Sequence, residues 1–402
     1  MRSRFLAALP LLIAAVVAGC GQQQAPGGGN AGEAGADIGC PVPAGPIGVA
    51  TSGRANSPVP VLPPSAEQIL RDSIYDVPIG DTGPTISLVE IDGRPSLVAG
   101  AAFSSDAEFP QAVDRDRETF LADFRSAASG VRATEPEADV LGALGIAARA
   151  ARDGGSAGTV VLVDSGLQTV TPLDFSQPGL LDAAPAEVVE FLDRTSAIPD
   201  LSGLTVLLAG IGDTAPPQQA LDIARQTALV ELWSRIARSG GAACVHAVSA
   251  PRGSDAVTGV PPVSTVEVPP PPSFDPSSRI VLPDNPTVGF VPGEAVLRDA
   301  EAAAGVLRPV ADWLAADSQR QARITGTTAR HGSLESQIAL AFERAETIKR
   351  RLVDLGADPT QITTEGVGSE FPGYVPDQGP DGGLLPGPAS RNRSVIIEPI
   401  AD

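Results

Sequence analysis

Between residues 41 and 250, short apolar runs rich in β-branched residues alternate with stretches of helical period. Ile47-Gly-Val-Ala-Thr51, Gly158-Thr-Val-Val-Leu-Val-Asp164, Leu204–Ala209 and Ala243–Val248 carry almost no polar residue. That is the pattern of strands covered on both faces. Helical patterns fall between them, over Ser65–Ser73, Arg115–Ala128, Asp139–Ala151, Ala186–Arg194 and Pro217–Arg238. Strands alternating with helices of this length predict a doubly wound α/β domain with a mostly parallel sheet. One departure is expected: Ile86–Ile91 and Pro95–Ala99 flank Asp92-Gly93, a pair suited to the tight turn of an antiparallel hairpin.

The pattern changes after residue 278. Arg279–Leu282 and Thr287–Phe290 are strand-like, Glu294–Ala315 is helical and Gln321–Gly326 is again a strand. Ile338, Ala341, Ala345, Ile348, Leu352 and Leu355 recur at three- and four-residue spacing, the stripe of an amphipathic helix that Gly356 ends. Gln361–Glu365 and Ser394–Glu398 are the last strands, separated by a Gly/Pro-rich loop, Phe371–Ala389. This half, 279–402, reads as α+β. Residues 251–278 join the halves and contain Pro269–Pro272, which favours a semi-rigid polyproline II spacer.

The N-terminus bears on location. A short basic start, Met1–Arg4, precedes an apolar run too short to span a bilayer, so residues 1–19 read as a signal peptide. The run ends in Val17-Ala-Gly-Cys20, which resembles a bacterial lipobox, and this implies lipidation of Cys20. Residues 20–40 then form a polar, Gly-rich tether. The expected location is the cell membrane or envelope, lipid-anchored and facing outward. In such an oxidising compartment, the remaining pair, Cys40 and Cys244, is expected to form a disulfide.

Charge and composition exclude several functions. Twenty-eight Lys and Arg face 48 Asp and Glu, for a formal charge of −20, which argues against nucleic acid. His246 and His331 are the only histidines, so no histidine-rich metal site exists. Gly154-Gly-Ser-Ala-Gly158 matches G-x-S-x-G, yet it follows a helix and precedes a strand, the reverse of a nucleophile elbow. Asp114-Arg-Asp116 lacks the later ligands of a calcium loop. No catalytic residue and no cofactor are expected.

Two resemblances sharpen this picture. The strand and helix order of residues 41–250, with its early hairpin, resembles a von Willebrand factor A domain. The metal loop of that family would fall at Ser52-Gly-Arg-Ala-Asn-Ser57, which has no aspartate, so no metal is expected. Thr134 or Asp139 lies in the family's threonine region and Asp164-Ser-Gly166 matches its third element, while Arg54 either puts a cation where the metal charge would sit or is simply a solvated loop residue. The second resemblance covers residues 279–402. Val288-Gly-Phe290, Ile324-Thr-Gly326 with Gly332, Leu340-Ala-Phe-Glu-Arg-Ala345, Gly366-Val-Gly368 and Asn392-Arg-Ser-Val395 together resemble the OmpA-like peptidoglycan-associated domain.

That family grips the diaminopimelate side chain of peptidoglycan with an aspartate and an arginine. Arg344 matches the arginine, whereas Ala329 stands at the aspartate position and Thr327 at a neighbouring histidine position. The resemblance places Thr327, Thr328, Arg330, Asn392 and Arg393 around Arg344 as the peptidoglycan site. Glu335 is the expected substitute acid, and Glu365 an alternative internal partner for Arg344. The whole implies a non-enzymatic envelope lipoprotein that links membrane to wall by weak peptidoglycan binding, with an unknown envelope protein as partner of the first domain. The alternative is an envelope protein–protein scaffold that has lost wall binding.

Overall fold

The computed structural model describes residues 39–152, 157–248 and 255–400. Cys20, the signal peptide, the tether up to residue 38 and most of the G-x-S-x-G stretch lie outside the described residues. Among the described residues, no helix is long and apolar enough to cross a membrane.

The first domain is built on a six-stranded sheet. Its strands are β1 (Ile47–Thr51), β2 (Thr85–Glu90), β3 (Ser96–Ala102), β4 (Thr159–Val163), β5 (Thr205–Ala209) and β6 (Cys244–Val248). They lie in the order β3-β2-β1-β4-β5-β6, all parallel except the edge strand β3. Every residue of β1, β4 and β5 is buried, as continuous apolar strands require when helices cover both faces. Helices α1 (Pro64–Tyr75) and α2 (Pro110–Gly130) pack on one face; α3 (Val140–Ala150), α4 (Pro185–Arg194) and α5 (Ile223–Ser239) pack on the other. The doubly wound α/β expectation holds. Helix α5 starts six residues later than the pattern predicts, because Asp222 caps it by accepting from Arg225 N at 2.9 Å. Cys40 and Cys244 are bonded, with Cα atoms 5.8 Å apart.

The proline-rich segment is only partly a spacer. Asn56 Nδ2 donates to Val263 O (2.9 Å), Gln218 exchanges two hydrogen bonds with the backbone of Val266, and Val266 is buried in the first core. Alternating valines give this stretch an apolar face, so residues 255–268 strap themselves to the first domain.

The second domain has four strands, β7 (Ile280–Pro283), β8 (Gln321–Gly326), β9 (Ile362–Gly366) and β10 (Ser394–Ile400), in the order β7-β10-β8-β9. Strand β10 is antiparallel to β7 and β8, while β8 and β9 are parallel. Helices α6 (Ala300–Ala315) and α7 (Leu334–Asp354) cover the sheet, and α8 (Pro386–Asn392) ends the long Gly/Pro loop. Thr287–Phe290 is not a strand. Asn285 Oδ1 accepts from the backbone N–H groups of Thr287 and Val288 and turns the chain there. Helix α6 likewise begins only at Ala300, where Asp299 caps it by accepting from Ala302 N at 2.8 Å.

Candidate functional site

Two places can be expected to hold a ligand, and both contain a buried arginine. In the first domain the strand order reverses between β1 and β4, and open α/β sheets bind ligands at the carboxyl ends of strands beside such a reversal. Arg54 fills that position. Its Nη2 donates to Asp164 Oδ1 (3.1 Å), Ser165 Oγ (2.9 Å) and Leu167 O (3.3 Å), and its Nε to Asp164 Oδ2 (3.3 Å). Arg54 is 1% exposed, so the solvated-loop expectation is wrong.

The cause is local. A Cβ at Gly53 would lie 1.8 Å from Val131 O, so only glycine lets this turn press against the chain after α2 and carry Arg54 inward. The other residues of the resemblance are also engaged: Thr134 Oγ1 donates to Asp92 (3.2 Å), and Asp139 caps α3 by accepting from Gly142 N. This crevice is occupied by the protein's own ion pair.

The second place is a cavity of about 720 Å³ walled by α7, the loop after β8, the residues before α8 and, from the first domain, α4. Two glycines set its depth. A Cβ at Gly326 would lie 1.9 Å from Ala341 O, and one at Gly366 would lie 2.4 Å from Phe342 N, so bare backbone on β8 and β9 lets α7 sit tightly on the sheet. That fixes Arg344 at the cavity wall, 3% exposed, with Nε donating to Glu294 O (3.0 Å) and the guanidinium carbon 5.1 Å from the Phe290 ring centroid. Among the described residues no carboxylate lies within ion-pairing distance of Arg344, and its two terminal nitrogens have no hydrogen-bond partner. Loss of solvent drops its pKa to about 10; Asp284 and Glu187 pull it back up, while Arg393 and Arg298 push it further down.

The neighbouring arginines are satisfied. Arg393 donates from Nη1 to Glu187 Oε2 (2.5 Å) and from Nη2 to Glu187 Oε1 (2.7 Å), a two-pronged pair, and Nη1 also reaches Asp284 Oδ2 (3.2 Å). Burial works against its charge, and Glu187 with Asp284 more than restores it, so Arg393 stays above the ordinary arginine range. Asp284 Oδ1 accepts from Arg298 Nη2 (2.7 Å). Three guanidiniums therefore share two carboxylates, Glu187 and Asp284. Among these three guanidiniums and two carboxylates one positive charge is left over, and it lies at Arg344 on the wall of the cavity that Glu190 and Glu343 also line.

Of the residues the sequence gathers around Arg344, Thr328 and Arg393 line the cavity with it. Thr328 Oγ1 is buried without a hydrogen-bond partner. Thr327 instead donates to Asn392 O (2.7 Å), and Asn392 latches the long loop by donating to Val375 O (2.6 Å) and Asp377 Oδ2 (2.8 Å). Arg330 lies over the Tyr374 ring, 4.9 Å from its centroid, and does not line the cavity. Ala329 does line it, 4% exposed, and leaves the family's acid position empty of charge. Glu335, the candidate substitute, is exposed and outside the cavity, and Glu365, the alternative partner for Arg344, instead accepts from Thr325 Oγ1 (2.8 Å).

Sequence reasoning missed Gln337 and Glu187. Gln337 sits two helical turns before Arg344 on the same face, a spacing that could have flagged it; its Nε2 donates to Gly332 O (3.1 Å) and its Oε1 is buried without a partner. Glu187 belongs to the other domain, and no local pattern marks it.

The likenesses to known proteins fall in the C-terminal part of the chain. Residues 289–379 match the OmpA family. Similar solved structures include the peptidoglycan-associated lipoprotein from Burkholderia pseudomallei, at 23% identity, covering 31% of this chain and 94% of that one, with a TM-score of 0.24. The periplasmic domain of Helicobacter pylori MotB is 17% identical, covering 31% of this chain and 76% of that one, with a TM-score of 0.25. The OmpA-like domain of FopA1 from Francisella tularensis is 15% identical over 31% of this chain and 73% of that one, with a TM-score of 0.23. No curated protein matches the chain. The chain thus consists of an α/β domain with a mostly parallel sheet followed by an α+β domain that is OmpA-like.

Proposed function

We propose that the protein is a cell-envelope lipoprotein that attaches to peptidoglycan through the cavity at Arg344. The observation that carries this reading is the unpaired, buried guanidinium of Arg344 in a cluster of three guanidiniums and two carboxylates. A carboxylate is the ligand that completes such a cluster, through a planar, two-pronged pair that arginine is built to form. Peptidoglycan stem peptides present one, and the OmpA family resemblance points to the same polymer. Lipidation at Cys20 would hold the chain at a membrane while the cavity holds the wall. The first domain, which we read as von Willebrand A-like, would then serve as the intervening body and as a contact for an envelope protein.

Sedimentation with purified peptidoglycan tests the reading. The full chain should pellet with the wall, and Arg344→Met should stay in the supernatant. Equal pelleting of both would remove Arg344 from the site, and no pelleting of either would favour a scaffold that has lost wall binding.

A further inference from the structure

The C-terminal domain does not build its cavity alone. Helix α4 of the first domain forms one wall, and contacts on both sides fix it there: Ser390 Oγ donates to Gly179 O (2.6 Å), and Arg194 Nη2 donates to Leu384 O (3.0 Å). Glu187 stands in the first turn of α4. Its carboxylate is held by both prongs of Arg393, yet the side chain remains 17% exposed and lines the cavity. An ionised carboxylate offers about four acceptor positions, and Arg393 takes two. Acceptor capacity therefore remains on a fixed, negatively charged group in the same cavity as the unpaired guanidinium of Arg344.

We infer that Glu187, carried by the first domain, is the acid that receives the ammonium of a zwitterionic ligand whose carboxylate binds Arg344, so that the binding site is shared between the two domains. This rests on the proposed carboxylate role of Arg344. Ala329 leaves that half of the site without an acid, and nothing within the loop after β8 replaces it. Glu187 meets the requirement from across the interface. It is preorganised by Arg393, partly screened from water by burial and close enough to Arg344 to act on its charge. The ligand class is an amino-acid end group with ammonium and carboxylate on one carbon, as at the free end of a diaminopimelate side chain. A consequence is that wall attachment reports on domain docking: a chain whose domains separate loses the acid half of its site.

The test uses calorimetric titration of the full chain with two soluble probes. One is a peptidoglycan tetrapeptide with its diaminopimelate amine free, and the other is the same peptide with that amine acetylated. Wild type should prefer the free amine by roughly ten- to a hundredfold, the range of one charge-assisted hydrogen bond. Glu187→Gln keeps the shape and a hydrogen bond to Arg393 but should abolish that preference, leaving the acetylated probe bound within about twofold of wild type. Adding Ala329→Asp to Glu187→Gln should restore the preference by returning an acid to the other wall. Retained preference in Glu187→Gln would overturn the proposal. So would a lost preference that Ala329→Asp cannot restore, since Glu187 would then only hold the domains together. If Arg344→Met binds both probes like wild type, the carboxylate reading itself fails and takes this inference with it.

Discussion

Arg54 and Arg344 are both at least nine-tenths removed from water, Arg54 at the reversal of strand order in the first sheet and Arg344 on the wall of the cavity. They differ in what surrounds them. Arg54 has a carboxylate, a hydroxyl and a carbonyl from the segment 164–167, so its charge is consumed inside the domain. Arg344 has one carbonyl and an aromatic face, so its charge is left over. The contrast teaches that a buried guanidinium marks a functional site only when its partners are counted. A saturated one closes a crevice, and an unsaturated one leaves donors facing a cavity.

The largest expected effect breaks the closed site. Arg54→Met removes the cation that reaches both carboxylate oxygens of buried Asp164, which should cost about 3–5 kcal/mol. Urea unfolding can follow this through Trp233 in a Trp313→Phe background, since Trp233 Nε1 donates to Gly166 O (3.0 Å) beside the pair. The double change Arg54→Met with Asp164→Leu should recover part of that loss, because it removes both members of the buried pair together. A mild effect of Arg54→Met alone would contradict the reading of a saturated pair.

The open site should answer to alkaline pH. The pKa of Arg344 lies at about 10 in the folded chain, below the ordinary arginine range that holds in the unfolded one. Between those values the unfolded state binds more protons, so stability gained from this group rises as pH rises. From pH 9 to 11, wild type should gain about 1 kcal/mol relative to Arg344→Met. An unchanged difference across that range would show that Arg344 is not deprived of solvent and partner.

The smallest effect is at neutral pH. Arg344→Met removes an uncompensated buried charge but also a hydrogen bond and a cation–π contact, so the two should offset to within about 1 kcal/mol. Losses like those of Arg54→Met would erase the difference between the two arginines.

How much of this the sequence disclosed follows from the range over which each signal acts. Alternating apolar runs specify β1, β4 and β5 because burial on both faces leaves no freedom for polar residues. Asp92-Gly93 specifies the hairpin because it is a local turn. Cap positions at Asp222 and Asp299 shorten helices whose composition runs on upstream, and the same residues could have been read as start signals. Stripe residue Ile338 is 39% exposed because α7 begins beyond the edge of the core. The place of Arg344 on α7 was legible from the helical stripe around it. Its surroundings were not, since Glu187 lies 157 positions earlier and reaches the cavity only through the packing of one domain on the other. Arg54 failed for the same reason: its partner Asp164 is 110 residues away.

The central claim is that Arg344 is held unpaired for a ligand's carboxylate, and thermal unfolding with added ligand tests it directly. A ligand that binds only the folded state stabilises it by RT ln(1 + [L]/Kd), about 2.7 kcal/mol at a hundredfold excess over Kd. Soluble peptidoglycan tetrapeptide should raise the Tm of the full chain progressively with concentration and leave that of Arg344→Met unmoved. An equal rise in both proteins, or no rise in either at millimolar peptide, would contradict the account.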